Sequence, residues 1–173
     1  MRTMKYLMIV SLSLAGLPIL ASDLPKFLVR DPAGVIHTHK ELLKRGAVVV
    51  VTIPNAKHGA FQSTWSNHLE KQMPVGGPRL VIVEDLSQSN VRENALKSMK
   101  AKFKPGQKTM LLLDEDGSLR RAFGVQNDET VVLIYSENGK LVRRSASPET
   151  ADEIIDLAKE MGQVAEGMAR KNK

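Results

Sequence analysis

The chain of 173 residues contains no cysteine. That absence excludes every chemistry that needs a thiolate: disulfide exchange, peroxide reduction at sulfur, zinc–thiolate sites and iron–sulfur clusters. It also removes disulfide bridges as a source of stability, so packing alone must hold the domain. Aromatic residues are scarce, at 4% with a single Trp, whereas 42% of the chain is hydrophobic. The core must therefore come from Val, Leu, Ile, Ala and Met. A strongly basic surface is lacking too. The formal charge is +6, and setting aside Arg2 and Lys5 leaves +4 (6 − 2). No cluster of Lys and Arg interleaved with stacking aromatics is present, which argues against nucleic acid as a partner. The basic tail Arg170-Lys171-Asn172-Lys173 reads as a frayed helix end.

What is present begins with an export signal. Arg2 and Lys5 form a positive start, Tyr6 to Leu20 is apolar, and Ala21 or Ser22 offers a small residue for cleavage. The apolar run is about 15 residues, short of the roughly 20 a spanning helix needs. We expect residues 1–22 to be a signal peptide and 23–173 one domain, exported to a bacterial periplasm or secreted. A membrane is a partner only if that leader is retained.

The remainder alternates between two periodicities. Leu24 to Arg30 and Val35 to Thr38 flank the turn Asp31-Pro32-Ala33-Gly34, which predicts a small hairpin. Lys40 to Arg45 predicts one helical turn closed by Gly46. Ala47 to Ile53, with four consecutive valines, predicts a central strand buried on both faces and ended by Pro54. Phe61, Trp65, Leu69 and Met73 recur at i+4 and predict a helix over 60–72 with one buried face. Leu80 to Val83 predicts a second buried strand. A helix then follows, capped by Ser87 or Ser89 and burying Val91, Ala95, Met99 and Phe103.

Thr109 to Leu113 predicts a third strand, and Leu119 to Phe123 a short turn capped by Gly124. Thr130 to Tyr135 and Leu141 to Arg144 predict two strands joined at Asn138-Gly139. Ser147-Pro148-Glu149 opens a last helix whose buried face would be Ala151, Ile154, Ile155, Ala158 and Met161. The βαβ order requires parallel strands with right-handed crossovers, and the closing hairpin adds antiparallel pairing. The expectation is an α/β domain with a mixed sheet and helices on both faces.

Three stretches carry a family resemblance. Leu24-Pro25-Lys26-Phe27 with Asp31 and Gly34 is similar to an "LPxF…D…G" opening hairpin. Val48 to Phe61 stands where a central strand and active-site loop belong. Asp114-Glu115-Asp116-Gly117-Ser118-Leu119-Arg120-Arg121-Ala122-Phe123-Gly124-Val125, then Thr130 and Asn138-Gly139, is similar to a "DxdGxxxxxfGV…ttflID.dGk.v" half. Over about residues 24 to 160 the chain resembles the thioredoxin-like superfamily, in its branch of peroxiredoxins and exported thiol-disulfide oxidoreductases. The resemblance implies a thioredoxin-like three-layer α/β/α fold with a mixed central sheet. It also implies where the family's chemistry is missing. Matched to a "WCxxC" motif, His58 and Phe61 take the two cysteine positions. Matched to a "PxxxTxxC" loop, Pro54, His58 and Phe61 take the three named positions. Both end at Phe61, which has no nucleophile. The family's cis-proline position falls near Asp128 or Glu129.

The expectation that follows is a cysteine-free, catalytically silent domain acting by binding. Its expected contact surface is the rim formed by Lys57, His58, Phe61, Asp128 and Glu129, and its expected partner another exported or envelope protein, with no cofactor. The alternative by family analogy is a thiol-disulfide oxidoreductase or peroxiredoxin-like antioxidant. A further alternative is metal binding through His37 and His39, two residues apart on one strand face, with His58. Lys57-His58 ahead of a helix also suits an anion. Asp114-Glu115-Asp116-Gly117 lacks the donor spacing of a calcium loop and reads as a turn. No nucleophile-elbow motif surrounds Ser63 or Ser66.

Overall fold

The computed structural model describes residues 23–43, 45–54, 67–75, 77–104, 109–126 and 129–146, together with 156, 159, 162–167 and 170. Strands β1 (Leu28–Arg30) and β2 (Ile36–Thr38) form an antiparallel hairpin in which Val29 faces His37. The turn between them is fixed by Asp31, whose Oδ1 accepts the Val35 amide at 2.9 Å. A 3₁₀ turn, His39–Glu41, follows directly. It starts one residue earlier than the Lys40 to Arg45 pattern predicts. Gly46, expected as the cap, lies beyond it at φ +73°.

The central sheet has the order β5-β4-β3-β6-β7, with β3 Ala47–Thr52, β4 Arg79–Asp85, β5 Met110–Asp114, β6 Val131–Tyr135 and β7 Leu141–Ala146. β3 pairs parallel with β4 and antiparallel with β6, and β4 pairs parallel with β5. The valine run therefore stands in the middle of the sheet, and all six residues of β3 are buried. A strand without polar alternation has no face to offer water, so it takes the position flanked on both sides and covered on both faces. Each buried valine contributes on the order of 1.5–3 kcal/mol of apolar burial.

Alternation along the strands divides the core into two layers. Ala47, Val49, Val51, Val81, Val83, Leu112, Val131, Leu133 and Tyr135 face one way, under Leu24, Leu42, Leu119 and Phe123. Val48, Val50, Leu80, Ile82, Val132 and Ile134 face the other, against Leu69, Met73 and Val164. The first layer is closed by α3 (Ser118–Ala122) and the chain entering and leaving the small hairpin. The second is closed by the helical residues 67–72 (α1) and 162–167 (α4). This is the thioredoxin-like three-layer α/β/α arrangement with a mixed sheet.

One predicted element changes in detail. In α2 (Arg92–Lys102) the stripe Val91, Ala95, Met99 and Phe103 is only half-buried, and no residue of the helix is fully buried. Its start carries no side-chain cap on the helix itself; Ser89 Oγ instead accepts the Val91 amide at 3.2 Å, just ahead of it. At the second hairpin, Asn138-Gly139 joins the two strands as predicted. Ser136 N donates to Lys140 O at 2.9 Å across the loop, with Gly139 at φ +78°. The strands then slip by one residue, Tyr135 facing Leu141 and Ile134 facing Arg143, so Val142 bulges outward and is exposed. Residues 60–66, the opening Ser147-Pro148-Glu149 and the predicted face Ala151, Ile154, Ile155, Ala158 and Met161 lie outside the described residues, as does the leader 1–22.

Candidate functional site

The strand register brings one set of polar residues to a single edge of the sheet. Thr52 ends β3 opposite Glu84, Asp85 ends β4 opposite Asp114, and Val51 faces Val131 at the start of β6. In open α/β folds this carboxyl edge is where loops converge and ligands bind. Here the Thr52 and Thr130 hydroxyls are 3.2 Å apart, and Ser89 Oγ donates to Pro54 O, tying the chain that leaves β3 to the chain that leaves β4.

Beneath this edge sits a buried charged cluster. Arg120, in α3, is 1% exposed, and its Nε donates to Asp85 Oδ2 at 2.7 Å. Its Nη1 donates one proton to Gln126 O at 2.6 Å and the other to Glu129 O at 2.7 Å. The Asp85 carboxylate, fully buried, also accepts Ser87 N at 2.9 Å, Ser87 Oγ at 2.6 Å and Gln88 Nε2 at 2.9 Å. Every lone pair of that carboxylate thus has a donor, which is what allows a charge to sit in the interior. Asp114 anchors the same helix from the other end: Oδ1 accepts Leu119 N at 3.1 Å and Oδ2 accepts Arg120 N at 2.7 Å. Burial pushes the Asp114 carboxyl above its ordinary range; those two amides pull it back, while Asp85 and Asp116 push it further up. The Asp114 to Gly117 stretch is accordingly a turn and helix cap.

Of the predicted rim residues, Glu129 is described. It stands at this edge, about one-third exposed, with Oε2 3.0 Å from Arg144 Nη2 and 3.4 Å from the Gln126 amide. Lys57, His58, Phe61 and Asp128 lie outside the described residues, as do Ala60, Ser63, Trp65, Ser66 and Asn127. The Asp85–Arg120 pair was not anticipated. Its members are 35 residues apart, and the local signal is faint: Asp85 follows Glu84 after the apolar Leu80 to Val83, and Arg120 stands beside Arg121 between Leu119 and Phe123.

The paired histidines do not form the half-site that strand periodicity predicts. β2 ends at Thr38 and His39 already belongs to the 3₁₀ turn, so the period of two no longer applies. The His39 ring packs edge-on to Phe27 at 6.1 Å. His37 is held by two carboxylates on opposite ring nitrogens, Asp31 Oδ2 at 3.2 Å from Nε2 and Glu41 Oε2 at 3.0 Å from Nδ1. Carboxylates on opposite sides of a ring cannot ligate one ion with it. Among the described residues no group of three or more His, Asp or Glu side chains is placed to hold a metal. Burial acts to lower the His37 pKa, but the hydrogen bonds and charges of Glu41 and Asp31 outweigh it and raise the value.

No protein-family model matches the chain, and no curated protein matches it by sequence. Solved structures do match. Peroxidoxin BcpB from Mycobacterium tuberculosis is 17% identical with a TM-score of 0.56, over 83% of this chain and 96% of that one. A secreted M. tuberculosis disulfide oxidoreductase homologous to E. coli DsbE is 15% identical with a TM-score of 0.53, over 78% and 95%. The exposed lipoprotein thioredoxin Etrx1 from Streptococcus pneumoniae is 15% identical with a TM-score of 0.55, over 78% and 98%. At these identities the likeness establishes the fold, and the fold is thioredoxin-like.

Proposed function

We propose that this chain is an exported, catalytically silent thioredoxin-like domain that acts by binding another exported or envelope protein through the carboxyl edge of its sheet. One observation carries the reading: a chain that folds like thiol-disulfide oxidoreductases has no cysteine anywhere. Disulfide exchange and cysteine-based peroxide reduction require a thiolate that attacks sulfur or oxygen, and no other side chain supplies one. What the fold retains without sulfur is a rim of converging loops over a rigid sheet, the usual place for recognition. Glu129, about one-third exposed there, supplies a charge to that rim. From the family resemblance alone we assign Lys57, His58, Phe61 and Asp128, which lie outside the described residues, to the same recognition role. Export is supported by the leader-like residues 1–22, and the related folds include a secreted protein and an exposed lipoprotein.

The names of the structural relatives favour a second reading, a thiol-disulfide oxidoreductase or peroxiredoxin-like antioxidant. Insulin-reduction and peroxide-consumption assays on the pure protein separate the two. Turnover above the uncatalysed rate would defeat the binding reading. The positive test is capture from periplasmic extract by wild type beside a Lys57→Glu, His58→Ala, Glu129→Lys triple variant. A partner held by wild type and lost by the variant supports the rim; one held equally by both places binding elsewhere.

A further inference from the structure

We propose that the outer face of the β1–β2 hairpin is a second binding surface, and that its occupant is an anionic lipid surface. This face is independent of the carboxyl edge and of the leader. Leu28 pairs with Thr38 and Arg30 with Ile36, so these four side chains share one face of the ribbon. Val29 and His37 take the other face. Val29 packs on the first core layer, and His37 bonds to Asp31 and Glu41. The inner face is thus committed to the fold, and the outer face is not. Leu28 is 67% exposed and Ile36 46%, with Val35 exposed beside them at the turn. Among the described residues five large hydrophobics are exposed, and these three fall within nine positions of the chain, from 28 to 36. Single exposed aliphatic residues are ordinary, whereas a group on one short hairpin marks an interaction surface.

The charges decide what covers it. Exposure alternates from Lys26 through Leu28 to Arg30, with Phe27 and Val29 turned to the core, so Lys26 continues the outer face. Lys40 is exposed two residues beyond Thr38. Among the described residues no carboxylate pairs with Lys26, Arg30 or Lys40. Arg30 Nη1 donates to Gly34 O at 2.9 Å, which lays the side chain along the ribbon without neutralising it. The two carboxylates of the segment, Asp31 and Glu41, are both taken up by His37. A second copy of the chain is a poor occupant, because a self-complementary contact would set these cations against their own copies. A peptide needs a groove or a length of free strand edge, and two strands of three residues form only a narrow ridge. An anionic bilayer matches both halves of the face. Its headgroups take Lys26, Arg30 and Lys40, and its acyl boundary takes Leu28, Val35 and Ile36. Each cation close to such a surface strengthens binding by about fivefold.

The test is flotation of the exported chain with vesicles of phosphatidylethanolamine containing about one-third phosphatidylglycerol, beside vesicles of phosphatidylcholine alone. Wild type is compared with Lys26→Glu/Arg30→Glu and with Leu28→Ser/Ile36→Ser. All three carry the same N-terminus, so any contribution of a retained leader is common to them. On anionic vesicles the charge variant is expected to bind at least about tenfold more weakly than wild type, and the apolar variant at least about threefold. The charge effect is expected to vanish on phosphatidylcholine and in about 0.5 M salt. Equal partition of all three on anionic vesicles would overturn the inference, and so would a charge effect that persists on neutral vesicles. Leu28→Trp reads the same contact should a variant fail to fold. Its emission is expected to shift to the blue on adding anionic vesicles, beyond any shift of wild type, whose single Trp is Trp65. Emission that changes no more than that of wild type overturns the inference. The Lys57→Glu, His58→Ala, Glu129→Lys variant keeps the hairpin intact, so loss of protein capture leaves its vesicle binding as a separate result.

Discussion

Asp85 and Arg120 meet in the interior with Oδ2 and Nε 2.7 Å apart, both side chains essentially inaccessible to water. They come from the end of a strand and from a five-residue helix, and in that position each is indispensable to the other. A lone buried charge keeps its full desolvation cost when its partner is removed.

This makes the pair testable by a double-variant cycle. Arg120→Met and Asp85→Leu, each alone, are expected to cost about 3–5 kcal/mol, a large part of a total near 5–15 kcal/mol. The double variant is expected to be at least about 1 kcal/mol more stable than the sum of the singles predicts, because neither charge is then left alone. Urea unfolding followed by circular dichroism measures all three. Strict additivity would mean that the two side chains are not energetically coupled.

His37 gives the hairpin a pH dependence. Its pKa is raised and that of Glu41, bonded to it, is lowered. A raised histidine adds stability that is complete below its unfolded value, near 6.5, and is lost as pH rises through the folded value. A lowered carboxylate adds stability above its unfolded value and loses it as pH falls through the folded one. The clasp of Asp31, His37 and Glu41 is therefore strongest in mild acid. Between pH 6 and 8.5 we expect Tm to fall by on the order of 2 °C, and His37→Gln to remove that slope. An identical slope in the variant would show that another group is responsible.

Much of the fold was legible because its signals are local and redundant. Four adjacent valines closed by Pro54 allow few placements other than a central strand, and the βαβ spacing dictates parallel pairing with β4 and β5. Where reading failed, a neighbour decided. His39 continues the alternation of β2 in sequence, yet Glu41 reaches back to the Thr38 amide at 2.8 Å and turns the chain into a 3₁₀ helix. Val91, Ala95, Met99 and Phe103 are spaced as a buried face, but burial depends on what covers a helix, and spacing says nothing of that. The Arg120 cluster was illegible because its contacts join separate chain segments, and no pattern within one segment marks an arginine as buried.

Asp114 behaves in the opposite sense to most carboxylates. Burial raises its pKa, so its charged form is disfavoured in the folded chain. The sign follows: stability is complete when the group is protonated and declines as pH rises through the raised value. Asp114→Asn keeps an oxygen for one helix amide and removes the charge. Its Tm relative to wild type is expected to be higher at pH 7.5 than in acid, because the charge penalty on the wild-type side chain disappears as its carboxyl protonates on the way down. A difference independent of pH would show that the Asp114 charge carries no penalty at neutral pH.

Two glycines in the last helical stretch separate packing from propensity. Gly162 is buried, and a Cβ there would lie 3.0 Å from Gln72 Cβ and 3.2 Å from Gln72 O, so the backbone of α4 rests directly on the end of α1. Gly167, on the same stretch, is exposed, and a Cβ would meet nothing within 4 Å. Alanine in place of glycine in a helix gains about 0.5–1 kcal/mol where nothing obstructs it. Gly167→Ala is therefore expected to stabilise by about that amount. Gly162→Val must push α4 off α1, and is expected to destabilise by about 1–3 kcal/mol. The pair is read by thermal and urea unfolding under one buffer. Stabilisation by both would show that α4 does not press on Gln72 and that the second core layer tolerates a wider spacing. Destabilisation by Gly162→Val alone would place the α1–α4 contact among those that hold Leu69 and Val164 against the sheet.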